Sequence, residues 1–135
     1  MNVPQIVSGL ALLGEELALR PVDIIIEQGL ITAIEENPRA PPLWICPALF
    51  NAHTHLADTV AMDCIGSGDL VSMVTPPRGL KHQILAAASH AELVAAMRAS
   101  IIGMVGSGIF GCADFREGGK PGVLALREAA RGLDF

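Results

Sequence analysis

The 135-residue sequence has few cysteines and few basic residues, and both shortages exclude classes of protein. The three cysteines, Cys46, Cys64 and Cys112, lie far apart and form no CxxC pair. We therefore expect no disulfide framework and predict a cytoplasmic location. Nine lysines and arginines against fourteen acidic residues give a net charge of −5. Without a basic run, binding to nucleic acid or to an anionic membrane surface is not expected.

Long hydrophobic segments are also lacking. The most apolar run extends from Ala99 to Ala113 and is interrupted by glycines and serines. A membrane-spanning helix needs roughly 20 apolar residues, so we expect no membrane insertion. No positive charge precedes Arg20, so the N-terminus does not have the pattern of a secretory signal.

Apolar residues, by contrast, are abundant. They make up 51% of the chain before any of its 14 glycines is counted. Typical domains reach about 45–50% with glycine included. The excess predicts that the chain packs against something else, and a second copy of itself is one option.

Residues 1–47 are predicted to form strands of a small β-sheet. The run Ile6 to Leu13 ends at "GEE", and "VDIIIEQGLITAI" contains two further runs around Gln28 and Gly29. An X-Gly pair between apolar runs suits a two-residue hairpin, because glycine accepts a positive φ. After the proline-rich "NPRAPP", the run "LWICPALFNAH" is typical of a strand covered on both faces in an α/β fold.

Residues 48–135 are predicted to alternate strands and helices. Little periodicity is visible over residues 56–88, which read as a long irregular segment. A capping box, "SHAE" from Ser89, then opens a helix, a strand follows from Ile109 to Phe115, and a short helix covers Val123 to Arg131. This order predicts a parallel sheet. It is also the start of a barrel that normally takes about 250 residues, so the barrel would be incomplete.

Two histidines stand one residue apart in "NAHTHLAD", directly after the apolar run. On a strand, residues i and i+2 point to the same side, so His53 and His55 can face one point. Neutral imidazole is a good ligand for zinc and similar divalent ions. The chain has four histidines, however, and two of them can also fall close together by chance in a core or on a surface.

Three stretches of sequence resemble the amidohydrolase superfamily, in its cytosine-deaminase and chlorohydrolase-like branch. The first is "IVSGLALLGEELALRPVDIIIEQGLITAIEE", similar to the opening strands of that family. The second is "CPALFNAHTHLAD", similar to its apolar strand ending in H-x-H, although Ala48 stands where glycine is common. The third runs to "GCADFREGG".

The resemblance implies a (β/α)₈ barrel with a small composite β-sandwich, to which residues 1–47 would contribute the N-terminal strands. It implies that His53 and His55 are metal ligands in a hydrolase that uses a metal-activated water on a C–N bond. Zinc is the first candidate, with iron, nickel and manganese as alternatives. The expected substrate is a small molecule, such as a cyclic amide, an amidine or an amino-heterocycle.

Four further residues are candidates for the site. Asp114 ends the second predicted strand and is a candidate catalytic residue, although a structural ion pair with Arg116 is the favoured alternative. Arg116 and Glu117 could bind substrate or a neighbouring loop, and His82 could line the same region.

The family's later strands carry further histidines and an aspartate, and this chain resembles only the first quarter to third of such an enzyme. Activity of the 135 residues alone is therefore not expected. The alternative is a truncated, non-catalytic remnant that acts by metal binding or by protein association. The residues do not choose between deamination, amide hydrolysis and dehalogenation.

Overall fold

The computed structural model describes residues 3–64 and 66–135. The chain forms two compact units that divide between Pro47 and Ala48. The elements described in the first unit are strands, and the second unit contains strands and helices, so the chain has a mixed α/β fold.

The first unit is a four-stranded sheet in the order β3-β2-β1-β4. Its strands are β1 (Gln5–Leu13), β2 (Ala18–Glu27), β3 (Leu30–Glu36) and β4 (Trp44–Ile45). Strands β1 and β2 are antiparallel, as are β2 and β3, and β4 joins β1 in parallel. The core of this unit is small and consists of Ala11, Val22 and Ile24, with partly buried apolar neighbours.

The hairpin predicted at Gln28 and Gly29 is confirmed. Both residues have positive φ, at 53° and 80°, and they alone connect β2 to β3. Such a two-residue turn matches the twist of the strands that it joins. The register of the β2–β3 pair shifts by one residue between Ile25, which pairs with Ala33, and Ile26, which pairs with Ile31.

The run "LWICPALFNAH" forms two strands rather than the single strand that we expected. Strand β4 ends at Ile45, and β5 (Leu49–Thr54) begins in the second unit. Pro47 stands between them, and proline has no amide hydrogen to donate to a ladder. The expected cover on both faces is also missing in this chain, because Leu49 and Phe50 are more than half exposed.

The second unit has a parallel pair of strands covered by helices. Strand β5 pairs in parallel with β6 (Ile109–Asp114). The helices are a 3₁₀ helix (Leu56–Ala61), α1 (Leu70–Val74), α2 (Leu80–Ala87), α3 (His90–Gly106) and α4 (Gly119–Ala129). The second predicted helix therefore begins four residues earlier than expected.

The described residues of segment 56–88 include three short helices, whereas we expected an irregular segment. These are the 3₁₀ helix, α1 and α2. Each has eight residues or fewer, which is too short for a helical period to be visible in the sequence. Asp69 caps α1 by accepting a hydrogen bond from the Ser72 amide at 2.8 Å.

The predicted capping box at the start of α3 is confirmed. The Ser89 hydroxyl accepts from the Glu92 amide, and the Glu92 carboxylate accepts from the Ser89 amide at 2.8 Å. Helix α3 then contributes Met97 and Ile101 to the core of the second unit. The other buried members are Leu56, Ala57, Ala125 and Ala129, so the 3₁₀ helix and α4 pack on α3.

Among the described residues, no single helix has the length and apolar character needed to cross a membrane. Helices α2 and α3 reach that length and composition only as a pair, with a bend of 113° between them.

Candidate metal centre

The two histidines lie together at the carboxyl end of β5. His53 belongs to the strand and His55 follows it, where the chain turns into the 3₁₀ helix. Their Nε2 atoms are 3.3 Å apart. The ring of Phe115 packs against both imidazoles, with centroid distances of 4.7 Å to His53 and 5.5 Å to His55.

This distance fits a shared divalent ion. Two ligands of a tetrahedral zinc ion, each about 2.0–2.1 Å from the metal, are about 3.3 Å apart. The same separation of the Nε2 atoms also fits a hydrogen bond between the rings of His53 and His55. The spacing of the two Nε2 atoms is therefore compatible with a shared metal ion.

A second group of polar side chains adjoins His55. It consists of Lys81, Asp58 and Glu117 and is called the charged group below. The Lys81 ammonium lies 2.6 Å from Glu117 Oε1 and 2.9 Å from Asp58 Oδ2. Glu117 Oε1 is also 3.4 Å from His55 Nδ1, in a contact that lacks hydrogen-bond geometry. Lys81 comes from α2, Asp58 from the 3₁₀ helix and Glu117 from the segment after β6, so three elements meet at this point.

The charges in this group stabilise one another. Burial disfavours a charged Glu117, but hydrogen bonds from Lys81 and from the Glu117 amide, with the charges of Lys81 and Arg116, lower the pKa of Glu117 to about 2. Burial likewise opposes a charged Lys81, and its contacts with Glu117 and Asp58 outweigh that effect and raise the pKa of Lys81. Both side chains are charged at neutral pH.

His55, Asp58 and Glu117 form a possible ligand set for a cation. One ligand atom from each of the three lies within 4.8 Å of the others. Among the described residues, His55 Nδ1 and Asp58 Oδ1 are buried atoms without a hydrogen-bond partner. His55 therefore belongs to two arrangements, since its Nε2 faces His53 and its Nδ1 faces Glu117.

The Asp114 carboxylate, at the end of β6, forms hydrogen bonds with the residues on both sides of His55. Its Oδ1 accepts hydrogen bonds from the Thr54 hydroxyl at 2.9 Å and from the Leu56 amide at 2.7 Å. Its Oδ2 pairs with Arg116 at 3.2 Å, and only 3% of the Asp114 side chain is exposed. The geometry is that of the structural ion pair given as the alternative, and a catalytic role for Asp114 stays a prediction.

The model of the amidohydrolase family matches residues 44–134. The chain belongs to this family. The match includes His53, His55 and all members of the charged group around Lys81. The cytosine-deaminase branch of the superfamily stays a prediction.

Three curated proteins are similar to this amidohydrolase chain over most of its length. A protein named "Putative aminohydrolase" from Methanothermobacter thermautotrophicus is 41% identical over 96% of the chain. An uncharacterized protein from Methanocaldococcus jannaschii is 36% identical over 92% of it. A protein from Archaeoglobus fulgidus with the same name as the first is 34% identical over 83%.

The chain covers only about a third of each relative, at 35%, 34% and 32% of their lengths. No solved structure gives a significant match to it.

The other predicted site residues of this amidohydrolase-family chain lie at different distances from the histidine pair. Arg116 is nearly buried and joins Asp114 to Glu117, whose Oε2 lies 2.8 Å from its guanidinium. Glu117 contacts His55 directly, as described above. His82 instead places Nε2 3.1 Å from the carbonyl oxygen of Val74, between α1 and α2. Substrate binding by these three residues stays a prediction.

Lys81 and Asp58 are members of the group that sequence reasoning missed. The Asp58 carboxylate binds the Lys81 ammonium, and neither residue was among the predicted site residues. One signal was available: Lys81 is one of only two lysines in the chain and stands in the apolar stretch "GLKHQIL". An isolated lysine on a helix that packs against other elements needs an acidic partner.

Two cavities border the charged group. The larger has a volume of about 240 Å³, and its lining includes Arg116, Glu117, Leu93, Met97 and Ala125. The smaller has about 160 Å³, and its lining includes Asp58, Lys81, Met73 and Ile84. Both are below the roughly 300–1,000 Å³ of typical small-molecule pockets.

Proposed function

We propose that this chain forms the first part of a metal-dependent amidohydrolase that hydrolyses a C–N bond in a small molecule. The supporting observation is the convergence of His53 and His55 at the carboxyl end of a parallel strand. In (β/α)₈ barrels the catalytic groups occupy that end of the strands. Strand β5, α3 and β6 supply one β-α-β unit of such a barrel, and residues 1–47 supply strands of a composite β-sandwich.

The substrate of the proposal is a cyclic amide, an amidine or an amino-heterocycle. The family match and the aminohydrolase names of two relatives support this class. The same match gives no support to a non-catalytic remnant. Deamination, ring-opening amide hydrolysis and dehalogenation differ in their products, which are ammonia, a ring-opened acid and halide.

His53 and His55 would hold the metal ion through Nε2, with zinc as the first candidate and iron, nickel or manganese as alternatives. A divalent ion supplies Lewis acidity and lowers the pKa of water to about 7. The protein's own contribution is to orient the rings. Phe115 packs on both of them, and the Glu117 carboxylate lies beside Nδ1 of His55. A hydrogen bond from Nδ1 to a carboxylate would favour the tautomer that leaves Nε2 free to bind, and Glu117 is the carboxylate placed closest to form one when a metal is bound.

Removal of one imidazole tests the metal site. In the intact protein, His53→Ala should lower the bound metal measured by plasma mass spectrometry, together with the rate of hydrolysis on a panel of amides and amino-heterocycles. His90→Ala is the matched control, because His90 is exposed on α3 and pairs with Glu128. Full metal occupancy and an unchanged rate in His53→Ala would overturn the assignment.

A further inference from the structure

The Lys81 ammonium lies where a cation would bind in the group formed by His55, Asp58 and Glu117. It contacts one oxygen of each carboxylate, at 2.9 Å for Asp58 and 2.6 Å for Glu117. The Glu117 oxygen that Lys81 contacts also faces His55 Nδ1. The ammonium thus occupies the space between the oxygens that would otherwise be metal ligands.

We propose that Lys81 acts as a built-in cation that keeps a second divalent ion out of this group. The inference rests on the proposed function, in which His53 and His55 hold the one ion that the described residues bind. Lys81 is then a specificity-determining residue for metal number, and it also positions Glu117 beside His55.

The burial of Lys81 separates this role from that of an ordinary surface ion pair. Only 17% of its side chain is exposed, and the side chains of Asp58 and Glu117 are about one-third exposed. A divalent ion at the same oxygens would lie within a few ångströms of the ammonium, where like charges in a partly buried site repel strongly. Occupation by Lys81 and by a metal is therefore mutually exclusive.

The tautomer of His55 determines which atoms would bind a second divalent ion if the Lys81 ammonium were removed. A neutral imidazole has one nitrogen without a proton, so a metal on Nε2 leaves the proton on Nδ1. Asp58 and Glu117 would then be the main ligands of a second ion, with water completing its coordination. Carboxylate and water ligands suit Mn²⁺, which makes Mn²⁺ the appropriate probe.

The test is the number of Mn²⁺ ions bound per chain in the intact protein, measured by electron paramagnetic resonance of free Mn²⁺ during titration. Wild type should bind one fewer Mn²⁺ ion than Lys81→Met. Lys120→Met is the matched control, since Lys120 is the other lysine and is exposed on α4. It should bind as wild type does, and so should Lys81→Arg, which retains a cation.

The gained ion should also disappear in the double variant Lys81→Met with Asp58→Asn. A folded Lys81→Met protein that binds the same number of ions as wild type would refute the proposal. Should Lys81→Met fail to fold, as judged by circular dichroism, Lys81→Gln is the substitute and the same criterion applies.

The result separates this inference from the proposed function. If His53→Ala leaves metal binding unchanged while Lys81→Met gains an ion, the role of Lys81 is supported and the histidine site is wrong. If His53→Ala loses the ion and Lys81→Met gains none, the histidine site is supported and the role of Lys81 is refuted.

Discussion

Replacement of Asp114 by alanine tests whether the end of β6 organises the candidate metal centre. The substitution removes the acceptor of the Thr54 hydroxyl and the Leu56 amide. It also leaves Arg116, of which only 7% is exposed, without its partner at 3.2 Å. The guanidinium keeps Glu117 Oε2 at 2.8 Å as a charged partner, together with weaker contacts to the Glu117 carbonyl oxygen and the Met97 sulfur.

These contacts set the expected loss of stability. Removing one partner of a buried ion pair costs about 3–5 kcal/mol, because an uncompensated charge stays behind. Arg116 keeps Glu117, so we expect a value near the lower end, about 3 kcal/mol. Asp114→Asn should cost less, since its amide oxygen can still accept from Thr54 and Leu56.

The assay is urea unfolding of the intact protein followed by circular dichroism. Glu128→Gln is the matched control, because the Glu128 carboxylate lies 3.0 Å from His90 Nε2, a distance similar to that between Asp114 and Arg116, but both side chains are at least half exposed. Exposed pairs of this kind contribute about 0–1 kcal/mol. If Asp114→Ala costs no more free energy of unfolding than Glu128→Gln, the argument for Asp114 as an anchor is wrong.

Two further predictions concern the segment after β6. Gly122→Ala should weaken metal binding and destabilise the fold, because a Cβ there would overlap the carbonyl oxygen of Glu117. Gly103→Ala, within α3, is the control. A Cβ at Gly103 meets no atom within 4 Å, so metal binding should be unchanged. The pKa of Glu117 is lowered from 4.5 to about 2, so its charge stabilises the fold fully above pH 4.5 and that contribution is lost as the pH falls through 2. Acid unfolding of wild type and Glu117→Gln should therefore give a stability difference that is constant near neutral pH and shrinks below pH 4.5; a constant difference down to pH 2 would contradict the assignment.

Local signals in the sequence predicted several elements well. The pair Gln28 and Gly29 specified a hairpin because the turn needs two residues with positive φ. Ser89 and Glu92 specified the start of α3 because their side chains satisfy amides at the helix terminus. Each of these interactions joins residues within a few positions, so the pattern and its cause are visible together.

The composition of the charged group could not be predicted in the same way. Lys81 finds Asp58 and Glu117 only after α2, the 3₁₀ helix and the end of β6 have packed. Short elements such as α1 and α2 show no period, so the positions of their side chains were not accessible from the sequence. The single strand expected across Pro47 was wrong for a local reason, the missing amide hydrogen of proline.

The hydrogen bond that the Leu56 amide donates to Asp114 has a consequence for the energetics of β5 and β6. Because Asp114 holds the residues on both sides of His55, the position of that imidazole depends on the pairing of β5 with β6. Thermodynamic linkage is reciprocal. If the pairing of β5 with β6 increases the affinity for a metal ion bound by His55, the bound ion stabilises that pairing by the same free energy. Metal occupancy and the separation of β6 from β5 are thus coupled equilibria. A bound ion therefore slows amide hydrogen exchange in β6, a strand that it does not contact.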